Sequence, residues 1–466
     1  MDWQNPGPME LHLDLAHAAG TTLRARVETA LRDAIRSGLL APGTRLPTSR
    51  ALCAQLGVSR GVVVDAYAQL IAEGYLRARQ GAGTTVAPGG VRSGTPERAP
   101  VPVHTQRAAA VRYDLSPFVP ALDAFPRSAW RAALIRALRS APDERLGLPE
   151  GGGLPELRDA LAMYLARSRG VRGIADQVIV CNGLRQGLGL LWTALAADGA
   201  QRVAVEHPGW RGMAETACDA GLVPVPVRVD AHGLVVEQLA AMGAVDAVGV
   251  APAHQYPSGA VMPPARRATL VAWAQEQDAL IVEDDYDAEY RYDREPIGSI
   301  QGLAPQHVVY GGSASKSLAP GVRLAWLVVP PQLVEPMIEL QRRRGGMPAA
   351  LEQLALADLV ERGELDRHLR RQRRRYRSRR DALLRTLAAR LPDAEVQGAA
   401  AGLFVVLRLP GGASEEAVLR HARAAGLALE GVGARQPAVV VGYANLPEAA
   451  IGAAVEALAA SVRAGS

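Results

Sequence analysis

The stretch GGSASKSLAPGVRLAW, residues 311–326, carries Lys316, and no other lysine occurs among the 466 residues. Arginine supplies the other 51 of the 52 basic residues. A lone lysine is most often a solvated surface residue, but the two cations are not chemically equivalent. A guanidinium stays protonated and is not a practical nucleophile, whereas an amine can lose its proton and form a Schiff base. A site that needs that reaction keeps a lysine where arginine would otherwise serve.

Outward from Lys316, the apolar runs DQVIVCN (176–182), RVAVEH (202–207), AVGVAP (247–252) and LIVEDD (280–285) alternate with helical stretches. That alternation predicts an α/β domain with a mostly parallel sheet covered by helices. The length and 48% apolar content allow two or more domains with a large core. Cys53, Cys181 and Cys218 are widely spaced and odd in number, which fits neither a disulfide framework nor a metal site. The first residues lack a basic end followed by an apolar run, and no later segment gives about 18 uninterrupted apolar residues. A soluble, cytoplasmic protein without membrane contact is expected.

Residues 89–111 carry Gly, Pro and polar residues without periodicity and read as a linker. The expected organisation is a small DNA-binding domain over 15–88, the linker, and a large domain over 112–466. Residues 1–107 hold 12 arginines against 8 acidic groups, so most of the net charge of +5 lies in the first quarter. There, Leu23, Val27, Leu31 and Ile35 recur at helical spacing before Gly38 and Pro42. TSRALCAQLG reads as a short helix, and VSRGVVVDAYAQLIAEG as a longer one capped by Ser59 and ended by Gly74. YLRARQGAGTTVAP reads as two short strands around a Gly turn. This is a winged helix-turn-helix pattern, with Ser59, Arg60 and Gly61 at the start of the third helix facing duplex DNA. Ser49 and Arg50 are candidates for neighbouring phosphate contacts, and Arg77, Arg79 and Gly81 for wing contacts. The alternative is a helical docking module with solvated arginines. Residues 23–86, including GTRLPTSRALCAQLGVSRGVVVDAYAQLIAEGYL and QGAGTTV, resemble the winged-helix domain of the GntR regulator family.

A Schiff base with pyridoxal phosphate requires a phosphate cradle, a carboxylate at the ring nitrogen and an aromatic face. VIVCNGLRQGLGLLW turns at Gly183 into a helix whose Leu184 and Arg185 amides would meet a phosphate. In LIVEDDYDAEY, Asp284 and Tyr286 share a face at strand period, for the pyridine nitrogen and the 3-hydroxyl, and Asp285 competes with Asp284. Ser313, Ser315 and Arg323 flank the lysine as further donors, and Trp210 in VEHPGWRG would stack on the ring.

In order, NGLRQG, EHPGW, HQYPSG, EDDYD and SASKSLAPGVR resemble the fold type I aminotransferases over about residues 112–462. With the GntR-like segment in front, the chain resembles the MocR-type regulators. The resemblance implies a Schiff base at Lys316, a homodimer, double-stranded operator DNA as partner, and pyridoxal phosphate or a small amine as effector. ERGELDRHLRRQRRRYRSRRDALL is also typical of that group. Its apolar spacers Leu365, Leu369 and Tyr376 favour a solvated helix face over DNA contact.

Three positions depart from the enzymes. Tyr256 stands where an Asn touches the 3-hydroxyl, Leu148 where a partner-subunit tyrosine reaches the phosphate, and the carboxylate-binding arginine is displaced, with Arg435 or Arg211 as substitutes. Loss of such a clamp removes orientation and charge pairing for an α-amino acid. The expected function is therefore cofactor-dependent regulation, with no dedicated catalysis. An aminotransferase carrying a DNA-binding appendage is the alternative, and a large domain that only dimerises the protein a third.

Overall fold

The computed structural model describes residues 11, 13, 15, 18, 22–79, 83–88, 111–147, 150–292, 298–433 and 437–465. Gly81, Leu148, Arg435 and residues 89–110 of the expected linker lie outside them. The chain divides into two compact units, Met1–Gln106 and Arg107–Ser466.

In the first unit, α1 (Leu23–Arg36) buries Val27, Leu31 and Ile35, and the Thr22 side chain accepts from Ala25 N at its start. Leu23, expected on that stripe, is 45% exposed because it occupies the first helical position, ahead of the packed face. α2 (Ser49–Leu56) begins with the Thr48 side chain accepting from Ala51 N and stops at Gly57 in the left-handed region. α3 (Arg60–Ala72) buries Val63, Ala66, Tyr67 and Leu70. Ser59 holds the N-cap position, but its side chain makes no capping bond, contrary to the cap expected. The hydroxyl is left at an exposed helix start. The helix ends at Ala72, two residues before Gly74 turns the chain. β1 (Leu76–Arg79) and β2 (Gly83–Val86) pair antiparallel as a hairpin. Leu76 and Val86 point into the core, and Arg77 and Arg79 point out.

In the second unit, β3 (Tyr113–Asp114) pairs parallel with Leu427–Ala428. An eight-stranded sheet follows from β4 (Val178–Cys181), β5 (Arg202–His207), β6 (Val223–Asp230), β7 (Gly233–Leu234), β8 (Ala247–Val250), β9 (Leu280–Asp284), β10 (Val308–Ser313) and β11 (Ala325–Val328). Its spatial order is β4-β11-β10-β9-β8-β5-β6-β7. β4, β5, β6, β8, β9 and β10 run one way, and β7 and β11 run the other. Strands such as β4 and β9 are buried at every position, which is why they read as continuous apolar runs and not as alternation.

A smaller antiparallel sheet joins Glu395–Gln397, Phe404–Arg408, Ala438–Gly442 and Glu430–Gly431. The long helix Glu364–Arg390 buries Leu365, Leu369 and Tyr376, and the Tyr376 hydroxyl accepts from Ala121 N. Arg379 and Arg380 are also buried on that helix and bond the carbonyls of Ala444 and Ala399. Two of the arginines in the basic run thus serve the core. Among the described residues, no helix is long and apolar enough to cross a membrane.

Candidate functional site

β4, β5, β9 and β10 all deliver their carboxyl ends to one edge of the sheet. This is the place where open α/β sheets bind ligands. The turns that follow enclose a cavity of about 550 Å³. Lys316, Asp284, Tyr286, Trp210, Gly183, Leu184, Arg185, Tyr256, Ser313, Ser315 and Arg323 all line it, together with Arg211.

One end of the cavity is positive. The helix Leu184–Ala197 opens there, and its first amides have no partners within the helix. Gly183 has φ of 92°, and a Cβ on it would lie 2.6 Å from Arg323 Nη2. Glycine therefore lets the guanidinium lie against the helix start, where Nη2 donates to Asn182 O at 2.5 Å. Arg185 pairs with Glu215 at 2.5 Å, and Arg211, its side chain 91% exposed, stands 3.6 Å from the same carboxylate. Trp210 precedes the helix Arg211–Asp219, and a Cβ on Gly212 would meet its ring at 2.3 Å. The indole can fold over the helix start only because that position is glycine.

Lys316 and Asp284 line the same cavity. Burial pushes the Lys316 amine down to about 8, against the attraction of Asp284, Asp287 and Glu430. Its Nζ donates to Phe118 O at 2.9 Å and lies 4.8 Å from the centre of the Phe118 ring. Burial, reinforced by Asp285, pushes the Asp284 carboxyl up to about 7. Asp284 Oδ1 is buried with no hydrogen-bond partner. Asp285, its competitor, is already engaged: Arg169 donates to both oxygens at 2.7 and 2.9 Å, and Tyr310 adds a bond at 2.7 Å. A carboxylate so saturated is a structural ion pair, whereas its neighbour Asp284 keeps a buried oxygen without a partner.

The Tyr286 hydroxyl donates to His254 O at 2.8 Å and lies 3.2 Å from His254 Nδ1, which in turn sits 2.9 Å from Asp287 Oδ2. The Tyr256 ring packs at a tilt of 48° against Phe118, centres 4.5 Å apart, and its hydroxyl donates to Glu430 Oε2 at 2.8 Å. Glu206 also lines the cavity. Burial pushes its carboxyl up to about 8, and Oε1 has no partner.

In the first unit, Arg50, Ser59, Arg60, Gly61, Arg77 and Arg79 are exposed and Ser49 is half-buried. Arg45, which sequence reading passed over, bridges to Thr85 and lays its guanidinium beside Gly83 at the wing.

Comparison with known proteins identifies both parts. The family described as bacterial regulatory proteins, gntR family, matches residues 23–86, and aminotransferase class I and II matches residues 120–458. The HTH-type pyridoxine biosynthesis transcriptional regulator PdxR of Corynebacterium glutamicum is 36% identical over 83% of this chain and 83% of its own length. The probable rhizopine catabolism regulatory protein MocR of Rhizobium meliloti is 33% identical over 93% of this chain and 92% of its own.

The chain belongs to the MocR-type regulators.

Among solved structures, the multiple substrate aminotransferase of Thermococcus profundus matches with a TM-score of 0.69 at 26% identity, over 75% of this chain and 91% of that one. This MocR-type regulator therefore joins a GntR-family winged helix to a domain with the aminotransferase fold. The residues named from strand ends line the cavity. Phe118, Glu206, His254, Asp287 and Glu430 were not legible in the sequence, because their partners are distant in the chain; Phe118 and Lys316 are 198 residues apart.

Proposed function

We propose that this MocR-type regulator binds pyridoxal phosphate in the cavity at Lys316 and reads the cofactor, or an amine that reacts with it, into operator binding. The observation that carries this is the pairing of Lys316, a buried amine lowered to about 8, with the partnerless Oδ1 of Asp284 in the same cavity. An orphaned buried carboxylate is costly unless a ligand completes it. A pyridinium N–H is the donor that fits, and the residues at the other end fit a phosphate.

When bound, pyridoxal phosphate supplies an aldehyde for amines and an electron-withdrawing ring. The protein's residues do the rest. The amides of Leu184 and Arg185, the Ser313 and Ser315 hydroxyls and Arg323 hold the phosphate at the positive end. Asp284 fixes the ring nitrogen in its protonated form. Tyr286, its hydroxyl proton held by His254 O, would offer its oxygen as acceptor to the ring hydroxyl, and Trp210 would cover the ring face. Lys316, lowered by burial, holds enough neutral amine near pH 8 to react. Tyr256 is engaged by Glu430, so the position where the enzymes place an Asn is committed to another contact, which favours sensing over dedicated turnover.

Two copies are the proposed working form, with two winged helices presented to an operator in double-stranded DNA. Leu138 and Leu146, 63% and 62% exposed in the large unit, offer apolar surface for such pairing. The free Ser59 hydroxyl and the exposed Arg60 and Gly61 at the start of α3 would enter the major groove, with Arg50 and Ser49 on the adjoining phosphates. Arg77, Arg79, Gly81 and Arg45 would meet the backbone at the wing. Arg60→Ala is expected to reduce discrimination between operator and random DNA by about 1–3 kcal/mol if it reads a base edge. Quantitative binding to both duplexes at fixed salt checks this. An equal loss on both makes Arg60 a phosphate contact, and equal affinity of the unaltered protein for both removes the operator reading.

A further inference from the structure

Two exposed positions of α3 carry residues that disfavour a helix, and the packing of the first unit accounts for neither. Gly61 follows Arg60 in the first turn and is exposed. Outside the helix's own backbone, a Cβ added there would meet only Ser59 Oγ, at 4.0 Å, and the residue does not have a positive φ. Alanine would fit and would favour the helix. Val64 is 44% exposed, so it gains little from burial. Its β-branched side chain also loses χ1 freedom against the preceding turn.

The core takes the other side of the helix. Val63, Ala66, Tyr67 and Leu70 are buried, and Val62 is half-buried against them. Gly61, Val64 and Ala68 are exposed and lie three and four residues apart, so they share the outer face. Arg60 stands four residues before Val64 and borders that face at its head. Asp65 is also exposed there, with the Arg24 guanidinium of α1 in range of its charge.

A glycine that packing does not require is explained where another molecule approaches the backbone closely. In the major groove the apolar group on the base edges is the thymine 5-methyl, which aliphatic side chains read by contact. Four helical residues rise about 6 Å, so Val64 meets the groove within about two base-pair steps of the position that Arg60 addresses. We propose that Val64 is a specificity-determining residue that reads a thymine methyl in the operator half-site, and that Gly61 lets α3 lie deep enough for so short a side chain to reach it. This rests on the reading of the first unit as an operator-binding domain, and it names what that domain recognises.

Duplexes selected from a randomised pool by the full-length protein define the half-site. Each thymine of one half-site is then replaced in turn by deoxyuridine, which lacks only the 5-methyl group. One thymine close to the base pair on which Arg60→Ala acts is expected to be sensitive, with affinity falling about threefold to fivefold, the worth of one buried methyl. Val64→Ala should bind the thymine and deoxyuridine duplexes alike. Gly61→Ala should keep or raise the thermal midpoint while its affinity for the selected duplex falls about tenfold, because the added methyl occupies the space of the approaching DNA. A half-site without such a thymine, deoxyuridine tolerated at every position, or an undiminished deoxyuridine effect in Val64→Ala overturns the assignment. Gly61→Ala that binds as tightly as the unaltered protein, or that melts earlier, overturns the role given to the glycine. A pool that yields no preferred sequence overturns the operator reading and this proposal together, whereas a clear half-site indifferent to its methyls overturns this proposal alone.

Discussion

A Lys316→Arg protein incubated with pyridoxal phosphate, reduced with borohydride and denatured is expected to retain no cofactor at that position. The unaltered chain is expected to retain about one equivalent per subunit on Lys316. The effect is all or none because arginine preserves the charge yet cannot form the bond. The sequence makes the test unusually clean, since no other lysine occurs among the 466 residues. Peptide mass mapping of the reduced protein locates the label. Covalent cofactor surviving in Lys316→Arg would mean that the cavity at the ends of β9 and β10 does not use this amine.

Asp284 and Asp285, adjacent in sequence, are expected to fail in opposite ways when altered. Asp285→Ala removes the carboxylate that accepts from the buried Arg169, with side-chain exposures of 3% and 1% in the pair. Breaking a buried pair from one side costs about 3–5 kcal/mol. Asp284→Asn removes no ion pair and is expected to weaken cofactor binding while the fold survives. Its pH signature has a definite sign. Burial raises the Asp284 carboxyl to about 7 from 3.8, so between these values the folded state binds more protons than the unfolded chain. Stability of the cofactor-free protein therefore falls as pH rises from about 4 to about 7. Asp284→Asn should remove that part of the slope, with its relative gain appearing near pH 8 and vanishing near pH 4. Thermal midpoints across that range, with and without pyridoxal phosphate, separate the two residues. A collapse of Asp284→Asn alongside a stable Asp285→Ala would reverse their roles.

The parts of the fold that were legible were those fixed by local chemistry. Continuous apolar runs leading to Gly183, Trp210 and Asp284 marked parallel strands, and the 57–59 turn between two helices marked the DNA-binding unit. Strand period with Tyr286 favoured Asp284 in the sequence, but the engagement of its competitor Asp285 by Arg169, 116 residues away, was not legible. The contact of Tyr256 with Glu430 was hidden for the same reason: the two lie 174 residues apart and meet only when the smaller sheet is in place. At Leu23 and Ser59 the periodicity and capping rules named the right elements, while the exposure of the first and the unused hydroxyl of the second depend on how the helices pack.

Sensing requires that one ligand state bind DNA differently from another, and the DNA must then change ligand affinity by the same factor. The most direct measurement is operator affinity of the full-length protein without cofactor, with pyridoxal phosphate, and with cofactor plus amine, alongside amino-group transfer to a keto acid in the same preparation. The account predicts an affinity change of about tenfold or more between these states, equivalent to roughly 1.4 kcal/mol of coupling, with no rapid turnover. Operator affinity indifferent to cofactor and amine, together with multiple turnovers at about 1 per second or faster, would contradict it and make the protein an aminotransferase with a DNA-binding appendage.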